Sequence, residues 1–461
     1  MKNIFEQYLF MIYSNFPNFI TYFNKIKDNR KQYLITYQTR TMALYILFSF
    51  IFKSGNSHSL SIKGNRQDIS IDNFKKLTKD FDIKKYPDFL TSIYFMSKTN
   101  NNSIDKVTSL FVKKLIKSKV FNSFRLLNKY FVIAIDGTRI YSFNKLKNLK
   151  CTKTTNSKTN KTIYHYNALF AKIVFKNGIV LPIAVEFIEN DPKYYTDNDE
   201  NTIKQDCEIK AAYRIIEKIK KLFPKLPICL VGDALYVNKK IINYCEKFSW
   251  KYFINYKEKS APSIQEKFDS IKFDYLESTK VHNFKKNNKI ITQNISYANK
   301  IKYKNHYINI LENIETTVQT YPKKKDKNNN PEIKTDKKTF KYITNFNLTD
   351  DNIITLINNG GRQRWKIENQ GFNEAKTKGY KLEHPYSKNL DYAKIYISYL
   401  LLAKMLNQLF ERGIITKKQI EKEFRTYKEL TENMLIDFLT KPIYLDNLKK
   451  INFNFTYINT S

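Results

Sequence analysis

Two short and almost wholly apolar runs constrain the fold of this chain most strongly, because an aspartate follows each of them. The first run covers residues 130–135 and leads into Asp136 and Gly137, and the second covers residues 227–232 and leads into Asp233. Apolar runs of this length are typical of strands that are buried on both faces of a sheet. In open α/β sheets, active groups gather at the carboxyl ends of the strands. The two aspartates are therefore expected to converge if their strands are neighbours.

The segments around these runs predict a mixed α/β core. Strand-like runs at 139–143, 164–175 and 179–188 follow the first aspartate, and Lys176-Asn-Gly178 has the composition of a hairpin turn. An amphipathic helix is predicted over 203–223, before the second run. A helix over 237–247 and a strand over 251–256 are predicted after it.

Changes in pattern divide the chain into five predicted segments. Residues 1–125 have apolar side chains at three- and four-residue spacing and are predicted to form a helical domain. Residues 126–257 form the first part of the core, and residues 339–411 form its second part, with helices over 350–359, 362–378 and 389–411. Between them, residues 258–338 are predicted to be a β-rich insertion, with strands over 289–297 and 302–311 and a disordered loop over 323–331. Residues 412–461 are predicted to be a helical tail.

The charge of the chain favours a polyanionic partner. The sequence of 461 residues contains 80 Lys and Arg against 43 Asp and Glu, which gives a formal net charge of +37. An AT-rich gene would enrich Lys, but the same bias encodes Asp and Glu, so it does not account for the imbalance. Nucleic acid is the usual partner of so basic a chain.

The apolar runs are too short for a membrane protein. The longest run in the N-terminal part covers residues 42–52, whereas a membrane helix needs ~20 apolar residues. The first residues also lack the cleavage pattern of a signal peptide. The sequence therefore predicts a cytoplasmic protein without a membrane partner.

A third acid is predicted in the segment 360–376, which reads Gly-Gly-Arg-Gln-Arg-Trp-Lys-Ile-Glu-Asn-Gln-Gly-Phe-Asn-Glu-Ala-Lys. Arg364 and Glu368 are four residues apart and would share one face of a helix. Alone, such a pair is no more than a surface ion pair worth ~0.3 to 0.5 kcal/mol. Glu374 is a competing acid, but it would lie on another face of the helix.

Three motifs together resemble those of the DDE transposases of the insertion-sequence-4 family. They are Asp-Gly-Thr at 136–138, Gly-Asp-Ala-Leu-Tyr at 232–236 and Arg-Trp-Lys-Ile-Glu-Asn-Gln-Gly-Phe-Asn at 364–373, and the resemblance covers about residues 125–411. The resemblance implies an RNase-H-like mixed sheet with flanking helices and a β-rich insertion between the second Asp and the Glu. It also implies that the helical domain of residues 1–125 binds DNA ends.

The segment around Glu368 departs from the family signature at two positions. That signature is Tyr-x2-Arg-x3-Glu-x6-Lys, and Arg364 and Glu368 fit it. Gly361 stands where the signature has Tyr, and Lys376 comes one residue late. In an α-helix, one residue turns a side chain by ~100° around the axis.

The resemblance implies that Asp136, Asp233 and Glu368 are catalytic and bind two Mg²⁺ or Mn²⁺ ions. Carboxylate oxygens are the hard ligands that these ions prefer. Two such ions ~3.5 to 4 Å apart can activate the attacking oxygen and stabilise the leaving one. The residues expected to contact DNA are Arg364, Lys376, Tyr236 and Trp365. Trp365 would stack on an extruded base or belong to the core, and Tyr236 would touch DNA or fill space.

The implied activity is cut-and-paste transposition of an insertion sequence. The expected partners are double-stranded DNA, as terminal inverted repeats and as target, and a second copy of the chain in a homodimeric synaptic complex. The expected location is the cytoplasm of a prokaryote, in association with the nucleoid. Two alternatives stay open, namely a catalytically silent DNA-binding derivative and an RNase-H-like nuclease without strand transfer.

Overall fold

The apolar run before Asp136 begins a strand of 13 residues, β1 (Phe131–Phe143), in the computed structural model. The structure describes residues 3–54, 57–146, 149–190, 205–258, 262–274, 279–286, 288–325, 331–387, 389–413, 422–424, 426–445 and 457. They form a mixed α/β fold with a large mixed sheet, which confirms the predicted class at this level.

The chain divides into two units that take alternating segments. The first unit contains residues 1–124, 137–224 and 366–461, and the second contains residues 125–136 and 225–365. The five segments drawn from the sequence stay a prediction.

Helices form the N-terminal part of the first unit, as the apolar spacing predicts. They are α1 (Ile4–Asn15), α2 (Phe19–Phe23), α3 (Thr39–Ile51), α4 (Ser57–Gly64), α5 (Asp68–Thr78), α6 (Phe89–Ser97) and α7 (Asn101–Lys117). Helix α3 contains most of the apolar run over 42–52 and is buried along nearly its whole length. It packs on α13 (Leu390–Glu411), so the run forms core. Within the described residues, no helix is both long and apolar enough to cross a membrane.

The first helix, α1, contacts a helix from the C-terminal segment inside the first unit. The backbone N–H of Ile4 donates to the Asp437 carboxylate over 2.7 Å, and Asp437 lies on α14 (Tyr427–Thr440). The ring of Phe438, the next residue, packs against Phe5 and Phe52. Helix α14 confirms helical structure in the tail, whereas residues 414–421, 425, 446–456 and 458–461 of the predicted tail lie outside the described residues.

Three antiparallel strands of the first unit carry its β structure besides β1. Strand β3 (Thr162–Val174) pairs with β2 (Thr152–Thr155) and with β4 (Val180–Ile188). The turn between β3 and β4 falls at Lys176-Asn-Gly178, as predicted, and Gly178 has a φ of +81°.

Helix α8 (Glu208–Leu222), which packs on β3 and β4, begins later than the predicted residue 203. The carboxylate of Asp206, which precedes this helix, accepts hydrogen bonds from Arg214 over 2.7 Å and from the backbone N–H of Glu189 over 3.1 Å. These bonds hold the chain before Glu208 in an extended form, as the φ and ψ of Cys207 (−144° and 167°) show.

The second unit is built on parallel strands. The first part of β1 pairs in parallel with β5 (Ile228–Gly232), and β5 pairs in parallel with β6 (Lys251–Asn255). Helix α9 (Lys239–Lys247) connects β5 to β6 and packs on β6. These elements confirm the strands and the helix predicted over 227–256.

A long antiparallel meander follows in the second unit. It consists of β7 (Thr279–Lys286), β8 (Lys289–Tyr303), β9 (His306–Lys325) and β10 (Pro331–Thr344), and β10 also pairs with β6. The stretch is β-rich, as predicted, but its strands are longer than the predicted ones. Strand β8, for example, continues through an irregularity at Lys300, whose φ is +60°. Of the predicted loop over 323–331, residues 323–325 belong to the end of β9 and Pro331 begins β10. Residues 326–330 lie outside the described residues. Helix α10 (Pro262–Asp274) was not expected in this stretch.

The prediction of a single regular helix over 362–378 is wrong, because the segment changes its helix type along its length. After α11 (Ile353–Asn359), the chain forms a 3-10 helix (Gly361–Arg364), then a π-helix (Ile367–Asn373) and then the short helix α12 (Glu374–Thr377). Periodicity of apolar residues indicates a helix, but it does not distinguish these hydrogen-bonding patterns.

We predict that Gly178→Ala destabilises the protein by about 1 to 3 kcal/mol. An alanine is strained at a φ of +81°, and its Cβ would overlap the guanidinium of Arg412. Chemical denaturation of the wild type and of each variant measures the free energy of unfolding. Lys176→Ala in the same turn is the control, with an expected change within about 0.5 kcal/mol. Equal losses in the two variants would contradict the prediction.

Candidate active site

Asp136 and Asp233 occupy matching positions on two neighbouring parallel strands. The register of β1 and β5 pairs Ala134 with Val231, and each aspartate follows two residues later. Residues two apart on a strand share a face, and neighbouring strands lie about 4.8 Å apart. The strands are therefore neighbours, as expected, and Asp233 directly follows the carboxyl end of β5. Asp136 instead lies within β1, which continues to Phe143, so the expectation that this acid ends its strand is wrong. It lies two residues past the part of β1 that pairs with β5.

The carboxylate of Asp233 is oriented by the turn that follows β5. It accepts a hydrogen bond of 2.9 Å from the backbone N–H of Leu235 and so caps a short 3-10 helix. The ring of Tyr236 in this helix is fully buried and packs over Gly232, where a Cβ would lie 2.5 Å from it. Tyr236 therefore fills space, the second of the two roles expected for it. Its burial leaves no surface for a DNA contact.

Arg364 lies beside Asp136 within the second unit. Its Nη1 atom is 3.9 Å from Oδ2 of Asp136, and the two side chains are 14% and 16% exposed. This distance is too long for a hydrogen bond, so the contact is one of charge. The arginine expected to contact DNA thus also balances the first acid.

Gly361 has a physical reason for departing from the family signature. A Cβ at this position would lie 2.6 Å from the ring of Tyr342 and 2.8 Å from that of Phe253. Both rings are buried, and their centroids are 4.6 Å apart. The space that a side chain at 361 would need is therefore filled from β10 and β6.

Trp365 is a surface residue. Its side chain is 49% exposed, and its nearest recorded ring contact is with Phe340 at a centroid distance of 6.5 Å. The core alternative for this tryptophan is therefore excluded, and an aromatic face is available at the surface.

Glu368 lies in the π-helix of the first unit and is partly buried. π-Helical turns are rare and often occur at functional sites. Their i→i+5 hydrogen bonds take up one residue more than those of an α-helix, as in the bond from the Glu374 N–H to the Asn369 carbonyl. Lys376, one residue late in the signature, lies in α12 after this turn. Its Nζ lies 2.8 Å from the Glu383 carboxylate.

The aspartates and Glu368 belong to different units. The grouping of all three acids therefore stays a prediction. In the part of the chain that the structure describes, no three His, Cys, Asp or Glu side chains are grouped as a metal ligand set would be. Asp136 and Asp233 nevertheless offer carboxylate oxygens, and this donor chemistry fits Mg²⁺ or Mn²⁺.

Glu374, the competing acid, is the counter-ion of a buried cluster in the first unit. Its carboxylate accepts from Lys404 at 3.1 Å, Gln408 at 2.6 Å, Arg412 at 2.8 Å and Lys378 at 3.0 Å. Burial alone would raise the pKa of Glu374, but the three cations outweigh it and lower this pKa to about 2. A carboxylate engaged in this way is structural.

Lys404 shares that single carboxylate with two other cations. Burial is the main cause that lowers the pKa of Lys404, to about 8, and Glu374 opposes the shift only in part. Sequence reasoning missed this cluster. The signal was available, because Lys404, Gln408 and Arg412 recur every four residues along a mostly apolar segment.

We predict that Glu374→Gln destabilises the protein by about 3 to 5 kcal/mol at pH 7, because it leaves buried cations without their counter-charge. The pKa of Glu374 is lowered from 4.5 to about 2, so its contribution is complete above pH 4.5 and is lost as the pH falls toward 2. The stability difference between wild type and variant should therefore be smaller at pH 3 than at pH 7. Denaturant unfolding at both pH values measures it, and a difference that does not depend on pH would contradict this role.

A comparison of the chain with protein-family models and with curated proteins found no match to either.

Proposed function

We propose that this chain is a DNA transposase of the DDE type, which moves an insertion sequence by cutting and rejoining DNA at its terminal inverted repeats. The observation that carries the proposal is the parallel register of β1 and β5, because Asp136 and Asp233 each lie two residues past the last paired residues. Two carboxylates at matching positions of neighbouring strands would suit the binding of divalent cations, and the third would come from Glu368.

The order of elements supports an RNase-H-like core. Strands β1, β3 and β4 are followed by α8, by β5 parallel to β1, by α9 and by β6 parallel to β5. The meander from β7 to β10 lies between Asp233 and Glu368 in the chain, where the resemblance places a β-rich insertion.

The side chains around the aspartates have defined roles in this proposal. When bound, two divalent ions supply an activated oxygen nucleophile and neutralise charge at phosphorus and on the leaving oxygen. Asp136, Asp233 and Glu368 would hold them. Arg364 keeps the Asp136 carboxylate charge-balanced before ions enter, and the Leu235 N–H fixes the direction of Asp233.

The partners follow from charge and exposed surface. A net charge of +37 suits the phosphates of double-stranded DNA. Trp365, half-exposed, can stack on an unpaired base, and Lys376 can reach a phosphate. The active form would be a homodimer that pairs two DNA ends.

We predict that the purified protein cleaves terminal inverted-repeat DNA only with Mg²⁺ or Mn²⁺. Asp136→Asn, Asp233→Asn and Glu368→Gln should each lower the cleavage rate by about a thousandfold or more and keep DNA binding, because they remove charge from the ion ligands alone. Gel analysis of end-labelled DNA measures cleavage and joining.

The matched control is Asp269→Asn, an exposed carboxylate on α10 that accepts from Gln265. It should cleave as wild type does. If all three acid variants keep the wild-type rate, the proposal is wrong. Binding without cleavage would indicate the silent DNA-binding protein, and cleavage without joined product would indicate the nuclease.

A further inference from the structure

Two side chains of α13 bind the π-helix that carries Glu368. The Nζ atom of Lys404 and the Nε2 atom of Gln408 both donate to the backbone carbonyl of Gln370, the second over 3.1 Å. Gln370 lies two residues after Glu368 in the π-helix. A carbonyl bonded from outside its helix is held away from the α-helical pattern, in the manner of helix irregularities with an inserted side chain.

The same two side chains also bind the end of the π-helix. Lys404 and Gln408 each donate to Oε2 of Glu374, over 3.1 Å and 2.6 Å, and Glu374 is the residue at which the π-helix passes into α12. We call Lys404 and Gln408 the α13 clamp. It fixes both a backbone carbonyl within the turn and a side chain at its end.

The two side chains of the clamp are too deeply buried to serve solubility. Lys404 is 4% exposed and Gln408 is 1% exposed. Burying an ammonium and an amide is costly unless each is hydrogen-bonded, and apolar residues of similar size would serve packing at least as well. Groups of this kind are best explained by the specific backbone form that they select.

A second buried lysine contacts the π-helix from β3. This lysine is Lys172. Its Nζ atom lies 3.2 Å from the position that a Cβ on Gly371 would take and 4.9 Å from the ring centroid of Phe372. Lys172 is 2% exposed. The π-helix is thus held by polar groups from two elements of the first unit.

We propose that Lys404 and Gln408 are positioning residues that hold residues 367–373 in the π-helical form and so set the direction in which Glu368 is presented. Relaxation to an α-helix would shift the following residues by one position, which is ~100° of rotation. The consequence for catalysis rests on the proposed function, whereas the hold on the π-helix does not.

The test uses the full chain with Lys404→Met and a matched control, Lys394→Met. Lys394 lies on the same helix, is also buried and forms an ion pair of 2.7 Å with Glu189, away from the π-helix. Hydrogen exchange of the backbone amides over 366–378 should rise about tenfold or more in Lys404→Met and stay at the wild-type value in Lys394→Met. Melting temperatures of both variants show how much each loses in global stability.

The second readout is the Mg²⁺ concentration that gives half-maximal cleavage. It should rise about tenfold in Lys404→Met, stay unchanged in Lys394→Met and return toward wild type in Lys404→Arg, which keeps a donor. Gln408→Leu should show the same exchange and Mg²⁺ shifts with the cluster charge intact. It replaces Lys404→Met if that variant does not fold.

Unchanged exchange over 366–378 in the clamp variants overturns the proposal, as does an equal rise in Lys394→Met. Faster exchange with an unchanged Mg²⁺ requirement overturns the link to Glu368. If the wild type cleaves no DNA at all, the proposed function fails, and the exchange result still decides whether the clamp holds the π-helix.

Discussion

The parallel pairing of β1 with β5 is the constraint on which the functional reading depends. A parallel register brings residues at matching positions of two strands to the same edge of the sheet. A shift of this register by one residue would turn one of the two aspartates to the opposite face. Ala134 opposite Val231 fixes that register from inside the apolar part of both strands, where burial leaves little freedom. Packing of the apolar residues before Asp136 and Asp233 thus places both acids, although β1 continues past Asp136 to the buried residues Ile140 and Tyr141.

The helix that carries Glu368 is specified in a different way. No apolar pattern within residues 361–377 accounts for its change from 3-10 to π to α geometry. The π-helix instead depends on buried polar side chains of α13, which bond to its backbone and to Glu374. A buried lysine of β3, Lys172, also lies close to its Gly371. The positions of Asp136 and Asp233 depend on a sheet register, whereas the position of Glu368 depends on a polar cluster. The aspartates and Glu368 are therefore sensitive to different kinds of substitution.

The sequence predicts most of the strands and helices of this chain because apolar runs and their spacing are local signals. The hairpin at Gly178 and the strands before Asp136 and Asp233 follow directly from them. The π-helix was not predictable in this way, since its bonds come from residues more than 30 positions later. The burial of Tyr236 and the reason for a glycine at position 361 were also not predictable, because each is set by a contact in space, with Gly232 in one case and Tyr342 in the other.

The contacts of α14 with the N-terminal helices have a consequence for synthesis of the chain. The N–H of Ile4 and the ring of Phe5 find their partners at Asp437 and Phe438, more than 430 residues later. While the ribosome is still adding the middle of the chain, those aromatic side chains have no finished surface to cover them, and contacts of such long range form slowly. A chain that stops before α14 would leave an apolar patch exposed on its first helices. Shortened copies of this protein would therefore be prone to aggregation and to removal by proteases.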